Sequence, residues 1–459
     1  MKTFLLVIVI SLISRCTFLS KYPPGIHGDE GLTGLRALYI WNYGFIGFFD
    51  NQHAYGQWAL AEYLTVPFVL LIDDDFYSIR LPMAICGSIS LILFYLFVKE
   101  LTRSPIIAFL GFLYQAVFFN HFHLSRIAIT PILSECFMIG GLYSYFKGAY
   151  GVSGVLFGLA SISYATGLLL PLCLFASLWL FRKNLPPKAV TTWLIITLTI
   201  HIYEIWSGRL SGRASSVFYI DDLDTKLEIV TRHLSSLFLS GYFDSSDGLG
   251  LKPIYSVGEF VLLLFALMAV TKDKKLIPIF FATSAGVLIL VCYTTLSTEF
   301  GFQRRILPAL TLINITIFYG LSCWNYKILR LLLLTIAGFC LIVGVNKLKN
   351  NINSEPIAWV FTKELTQIRN WVKRYQDAFQ TLGFQSGRWS IHYETNRWFY
   401  RKFSHSKEFH DIKKVVAKEF DISVFDDRSL RKFFRRDHYK CSKLNKHFYF
   451  CMKKSIGID

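Results

Sequence analysis

Charge is scarce in this sequence, and so are the patterns that bind metals and nucleotides. Asp, Glu, Lys and Arg make up only 17% of the 459 residues, while 53% are hydrophobic. Mean hydropathy is +0.42, and the apolar residues come in long runs, a profile that excludes an ordinary soluble protein. The nine cysteines include no Cys-x-x-Cys pair and no Cys/His ligand spacing, and most lie inside apolar runs, which argues against a metal cluster. No Gly-rich phosphate loop is present. Gly151, Gly154 and Gly158 fall in an apolar run and read as helix-packing positions. Solenoid repeats and low-complexity segments are also missing.

What the chain has is apolar segments of bilayer length. The first is Thr3 to Ser20, with Lys2 before it. No small-residue cleavage site follows, so it reads as an uncleaved span with its N-terminus inside. Further spans are expected at about 81–98, 105–121, 131–147, 151–166, 167–181, 189–206, 254–271, 276–295, 305–323 and 327–346. The 151–181 region reads as one long span or two short ones, and two brings the total to about 11. The net charge of +17 comes mostly from the ends of these runs and from the C-terminal stretch. Cytosolic loops would carry Lys99, Arg103, Lys147, Arg182, Lys183, Lys188, Lys272, Lys274, Lys275, Lys327 and Arg330, a positive-inside pattern. Anionic lipid headgroups explain the basicity more simply than nucleic acid does.

Two long loops then face outward, at about 21–80 and 207–253. Residues 30–43 and 57–71 of the first read as interfacial helices, and Asp73-Asp74-Asp75 as a solvated turn rather than a metal cluster. The second loop carries Arg209 and Arg213. After the transmembrane part, 1–349, the composition shifts: residues 350–459 hold 22 Lys and Arg against 12 Asp and Glu. Strands are expected at Trp389–Tyr393, Ile422–Phe425 and Phe448–Met452, and helices near 356–376 and 406–419. This is a small α+β domain, placed outside the membrane on the non-cytosolic side by the odd span count. Cys441 and Cys451 lie there, as a disulfide if that side is oxidising or as two free thiols.

The chemistry gathers at Tyr22-Pro23-Pro24-Gly25-Ile26-His27-Gly28-Asp29-Glu30-Gly31. Pro23, Pro24 and Gly25 break the first helix. Asp29 and Glu30 then fall in the first turn of a new helix, whose dipole favours carboxylates there. Leu32, Leu35 and Tyr39 recur behind them at helical spacing. The bland reading is that Asp29 caps this helix. On the same face fall Arg126, Arg213, Arg304 and Arg305, whose forked guanidinium groups suit phosphate oxygens; taken singly, each also reads as an interfacial anchor. His27, His121 and His123 would line the cavity. Two interfacial histidines without a third ligand read more readily as hydrogen-bonded neighbours than as metal ligands.

At these residues the chain resembles a known family. Pro23-Pro24-Gly25-Ile26-His27-Gly28-Asp29-Glu30-Gly31 is similar to the opening of GT-C glycosyltransferases of the family 39 type, which include protein O-mannosyltransferases and aminoarabinose transferases. Tyr63-Leu64-Thr65-Val66-Pro67-Phe68, Ser78-Ile79-Arg80-Leu81-Pro82 and His123-Leu124-Ser125-Arg126-Ile127-Ala128 continue the likeness. Gly212 to Phe218 and Arg304 to Leu310 match more loosely, and residues 1 to 346 are covered. The resemblance implies a sugar donor carried on polyprenyl phosphate and transfer on the non-cytosolic face. It implies Asp29 as general base toward an acceptor hydroxyl, with Glu30 as its partner. Arg126 and Arg304 or Arg305 would hold the donor phosphate. Where relatives often carry Lys-Pro-Pro, this chain has Gly56-Gln57-Trp58-Ala59-Leu60-Ala61-Glu62, so a basic contact is missing.

The expected protein is therefore a polytopic α-helical enzyme of a bacterial-type inner or plasma membrane, its active site facing the periplasm or exterior. The acceptor is a protein, lipid or glycan. No cofactor is certain, and a divalent metal remains open. A lipid-linked-sugar flippase is the first rival; Glu135, Glu204 and Glu259 are its only mid-membrane acidic candidates. A glycan polymerase or ligase is the second.

Overall fold

The computed structural model describes residues 2–23, 25–50, 57–181, 186–207, 231, 235–239, 253–270, 286, 302–324 and 327–352, and five strand segments between 381 and 453. Every expected span has its helix except 276–295, which lies outside the described residues. These helices are α1 (Lys2–Cys16), α4 (Asp75–Thr102), α5 (Pro105–Val117), α7 (Pro131–Phe146), α8 (Tyr150–Ser161) and α9 (Leu169–Leu180). They continue with α10 (Pro187–Trp206), α11 (Val257–Val270), α13 (Leu307–Cys323) and α14 (Lys327–Ile352). Between them lie α2 (Gly28–Tyr43), α3 (Leu60–Leu71), α6 (Phe119–Leu124) and α12 (Phe302–Arg305). The chain is a polytopic α-helical membrane protein. Among the described residues α4, α10 and α14 are each long and apolar enough to cross a bilayer.

Proline sets several of the boundaries. It stands at the first or second position of α5, α7, α10 and α13, where the missing N–H costs nothing and the fixed φ suits a helix. Region 151–181 resolves into two helices of 12 residues each, α8 and α9, separated by a short 3-10 turn at Ala165–Gly167. At about 1.5 Å per residue each reaches only about 18 Å, well short of the roughly 30 Å hydrocarbon core. The glycines of α8 do pack: a Cβ on Gly154 would meet Ala189 O at 2.5 Å, and one on Gly158 would meet Ile196 at 2.7 Å. The backbones of α8 and α10 thus approach closely where the side chain is smallest. Gly151 faces open space.

The bundle has two chemically distinct ends. One holds Glu30, Arg80 and the backbone of Ala128. At the other, Lys147 after α7 pairs with Glu100 near the end of α4. The acidic run 73–75 opens α4: Asp74 Oδ1 accepts from the N–H groups of Phe76 (2.9 Å) and Tyr77 (2.8 Å). That is an N-cap, so the run serves the helix as a turn and not as a metal cluster.

Beyond α14, residues Thr381–Phe384 (β3), Glu408–Asp411 (β4), Ile422–Asp426 (β5), Tyr439–Lys443 (β6) and Phe448–Lys453 (β7) form one mixed sheet of order β4-β3-β5-β7-β6. A two-residue hairpin of β1 (Phe49–Asp50) and β2 (Gln57–Trp58) precedes α3. The expected strands at 422 and 448 are present. The helix expected near 406–419 is corrected: 408–411 is a strand in parallel register with 381–384, so pairing with a neighbour overrides local pattern. The helix near 356–376, the strand at Trp389–Tyr393, most of loop 207–253 and Arg213 lie outside the described residues.

Candidate active site

The turn after α1 is held from below by one side chain. Arg80, fully buried in the first turns of α4, directs Nε to Glu30 Oε1 (2.7 Å) and Nη2 to Glu30 Oε2 (2.8 Å). Its Nη1 donates to the carbonyls of Leu19 (2.7 Å) and Pro23 (2.8 Å), and Nη2 donates to Gly25 O. Gly25 sits at φ 110°, a conformation that L side chains rarely adopt, and this turns its carbonyl toward the guanidinium. A charge buried so deeply must be paired and hydrogen-bonded. Here a bidentate carboxylate and three carbonyls supply that.

Glu30 is saturated in turn. Besides Arg80 it accepts from the N–H of His27 (2.9 Å) and of Ala128 (2.9 Å). The contact with His27 is half of a capping box: His27 is the N-cap of α2, and its Nδ1 accepts from Asp29 N at 3.1 Å. Sequence pattern suggested Asp29 as the cap. The structure gives that task to His27, with Glu30 at the third position, and leaves the Asp29 side chain for something else. His27 is therefore a capping residue beside the carboxylate rather than a simple cavity wall.

Asp29 stands in the first turn of α2 with 41% of its side chain exposed. Its Oδ2 receives Arg304 Nη1 at 2.8 Å, and Arg304 is itself 19% exposed. This pair joins residues far apart in sequence, from the end of the first span and from α12, at a position that solvent and substrate can reach. Arg305 follows Arg304 in the same short helix and is partly buried. The N-terminus of α2 favours negative charge at Asp29. The helix phase differs from the expected one in one respect. Leu32 is buried, but Tyr39 is 51% exposed, and the covered face runs through Thr33, Ala37, Leu38 and Ile40. Arg36 on that helix pairs with Glu62 of α3 at 3.1 Å, fixing the two interfacial helices together.

Arg126 has a different task from the phosphate contact expected of it. Its Nη1 donates to the carbonyls of Ser14 (3.1 Å) and Arg15 (3.0 Å), and its Nη2 to Phe18 (3.0 Å) and Tyr22 (3.3 Å). These are the carbonyls left without partners where α1 ends, and a cation is favoured there by the dipole. The guanidinium also lies 5.1 Å from the Phe122 ring. Burial lowers its pKa to about 10, with the Arg80 charge adding to the effect. Arg126 thus shapes the turn that carries Asp29.

His121 and His123 are both buried. His123 Nδ1 lies 2.9 Å from the Tyr22 hydroxyl, and its ring stacks on Phe119. His121 Nδ1 lies 3.0 Å from Arg15 Nη2, and its Nε2 is 3.6 Å from Glu135 Oε1. Glu135 in turn accepts from Thr311 at 2.6 Å and from Ser90 at 3.2 Å. The histidines and Glu135 are parts of polar networks joining helices inside the bundle. The two other mid-membrane acids are held likewise: Glu204 by Phe48 N–H (2.7 Å), and Glu259 by the Tyr114 hydroxyl and Ser256 N–H. Among the described residues no three His, Cys, Asp or Glu side chains gather as a metal-ligand set.

Arg80 is the residue to which sequence reading gave no role. Its signal was present: a lone arginine at the start of a 28-residue apolar helix needs a partner. The segment 125–130 is drawn in by the same hub. Thr33 Oγ1 donates to Ala128 O at 3.0 Å, and a Cβ on Gly87 would meet Ser125 Cβ at 2.4 Å.

No protein-family model matches the chain, and no curated protein matches it by sequence. Solved structures do match. ArnT from Cupriavidus metallidurans bound to undecaprenyl phosphate aligns over 98% of this chain and 97% of its own, with a TM-score of 0.63 at 10% identity. The apo form of the same protein aligns over 100% and 98%, with a TM-score of 0.62 at 10% identity. The Saccharomyces cerevisiae protein O-mannosyltransferase Pmt1-Pmt2 complex, bound to the sugar donor, covers 47% of this chain and 35% of that one at 18% identity; its TM-score of 0.36 carries no weight. Over its whole length, then, the chain has the fold of ArnT.

Proposed function

We propose that this protein is a membrane glycosyltransferase that moves a sugar from a polyprenyl-phosphate donor to a hydroxyl-bearing acceptor. The single observation carrying the reading is the accessible Asp29–Arg304 pair, at 2.8 Å, on the rigid turn built by Arg80 and Glu30. The fold shared with ArnT supports it, and the undecaprenyl phosphate bound in one ArnT structure suggests the donor's lipid. Asp29 accepts the proton of the acceptor hydroxyl as that oxygen attacks the anomeric carbon. Arg304 faces the phosphate that leaves and stabilises its developing charge. One base and one leaving group make a single displacement with inversion. Because the lipid tail stays in the bilayer, no nucleotide-binding domain is required.

The site faces the non-cytosolic side in this reading, with Lys147 and Glu100 at the cytosolic end. Glu30 is a positioning residue in it, and Arg126 a structural one. The sugar, and whether the acceptor is protein, lipid or glycan, follow from assay. Purified protein in polyprenyl-lipid vesicles, given a labelled polyprenyl-phosphate sugar and hydroxyl acceptors, is expected to transfer label. The Asp29→Asn variant should do so about 10²–10⁴-fold more slowly. Movement of labelled lipid across the bilayer with no transfer by the wild type would favour a flippase instead.

A further inference from the structure

The last two strands carry a cysteine each, and the sheet sets them face to face. In the antiparallel pairing of β6 with β7 the Cα partner of Cys441 is Cys451. Directly opposed residues share one face of a sheet. Their Cα atoms stand about 4.5 Å apart at non-hydrogen-bonded positions and about 5.5 Å apart at hydrogen-bonded ones. Both spacings fall inside the window of about 4.4–6.8 Å that a disulfide requires. A slip of one residue in either strand would put the two cysteines on opposite faces, so the register itself is informative. The sheet order adds a second point: β6 is an edge strand, paired on one side only. By contrast Cys16, Cys86, Cys136, Cys173, Cys323 and Cys340, in or beside the helices, are all free.

We propose that Cys441 and Cys451 form a cross-strand disulfide that fastens the edge strand β6 to β7. The two thiols lose two protons and two electrons as one S–S bond forms. A donor disulfide on an extracytoplasmic thiol oxidoreductase accepts them and becomes a dithiol. The proposal rests on the placement of residues 350–459 on the non-cytosolic side, because that is where such donors operate and where the bond would persist.

Trypsin makes the bond directly readable, since Lys443 and Lys446 lie between the two cysteines. The full chain is expressed in a bacterial inner membrane with its thiol-oxidising system intact. Free thiols are alkylated under denaturing conditions without reductant, and the digest is weighed. The expected species is the peptide Cys441–Lys443 joined to His447–Lys453, lost on reduction. In a Cys441→Ser variant, Cys451 should become fully alkylated. Recovery of both wild-type peptides as separate alkylated species, or linkage of either to another cysteine, overturns the bond. An impermeant maleimide applied to intact spheroplasts separates two causes of failure. If it labels both thiols, the sidedness stands and only the pairing is wrong. If it labels them only after permeabilisation, the sidedness fails and the disulfide with it.

Discussion

Asp29 and Glu30 are neighbours in sequence, with the same charge and in the same helical turn, yet they live in different solvents. Glu30 is buried with Arg80, and its oxygens are taken by a guanidinium and two backbone N–H groups. Asp29 is 41% exposed and meets Arg304 across a rim that ligands can reach. A carboxylate with every oxygen occupied in a dry site can only hold structure. One whose partner is a half-covered arginine can exchange that partner for substrate. The difference teaches that a carboxylate pair in sequence is not a catalytic pair by default: one member is foundation, the other instrument.

That contrast can be broken at the foundation first. Glu30→Gln or Arg80→Met leaves one charge of a buried pair without its counter-ion, which is expected to cost about 3–5 kcal/mol of stability. The unfolding midpoint of purified protein in detergent checks this, and unchanged melting would place the pair in a wetter environment than the structure does. At the rim, Arg304→Gln should slow transfer about 10²–10³-fold, as loss of one oxyanion-stabilising donor does. Arg304→Lys, which keeps the charge without the fork, should recover part of that loss. Kinetics with saturating donor distinguish the two variants.

Smaller effects sharpen the boundary between the regions. Arg126→Gln removes donors from carbonyls at the end of α1, and should cost about 1–3 kcal/mol in stability. A phosphate-binding role would instead raise the donor's KM with no change in melting. Smallest of all, Arg304→Gln should shift stability by only about 0–1 kcal/mol, because a partly exposed ion pair contributes little to folding.

Much of the scaffold was legible from sequence because hydrophobic length and proline position are local signals. Pro105, Pro131 and Pro187 each open a helix, and the apolar runs between them give the spans. The likeness around Asp29 also pointed to the correct turn. What the sequence could not display was partnership. Nothing local says that Arg80 reaches back to Glu30, or that Arg126 closes the end of α1 instead of facing a ligand. His27 as N-cap was hidden too, because Asp29 is the more usual capping residue and stood two places away. In the C-terminal region the strand at 408–411 was read as helix, since its parallel partner at 381–384 is distant in sequence.

The central claim is that chemistry belongs to Asp29 and structure to Glu30. The most direct measurement takes Asp29→Asn and Glu30→Gln side by side and records, for each, the transfer rate per folded molecule and the unfolding midpoint. The account predicts that Asp29→Asn loses about 10²–10⁴-fold in rate while melting like the wild type. It predicts that Glu30→Gln melts far earlier, yet retains most of its rate in the fraction that is folded. Equal loss of rate in both variants at unchanged stability, or an Asp29→Asn protein that transfers normally, would contradict it.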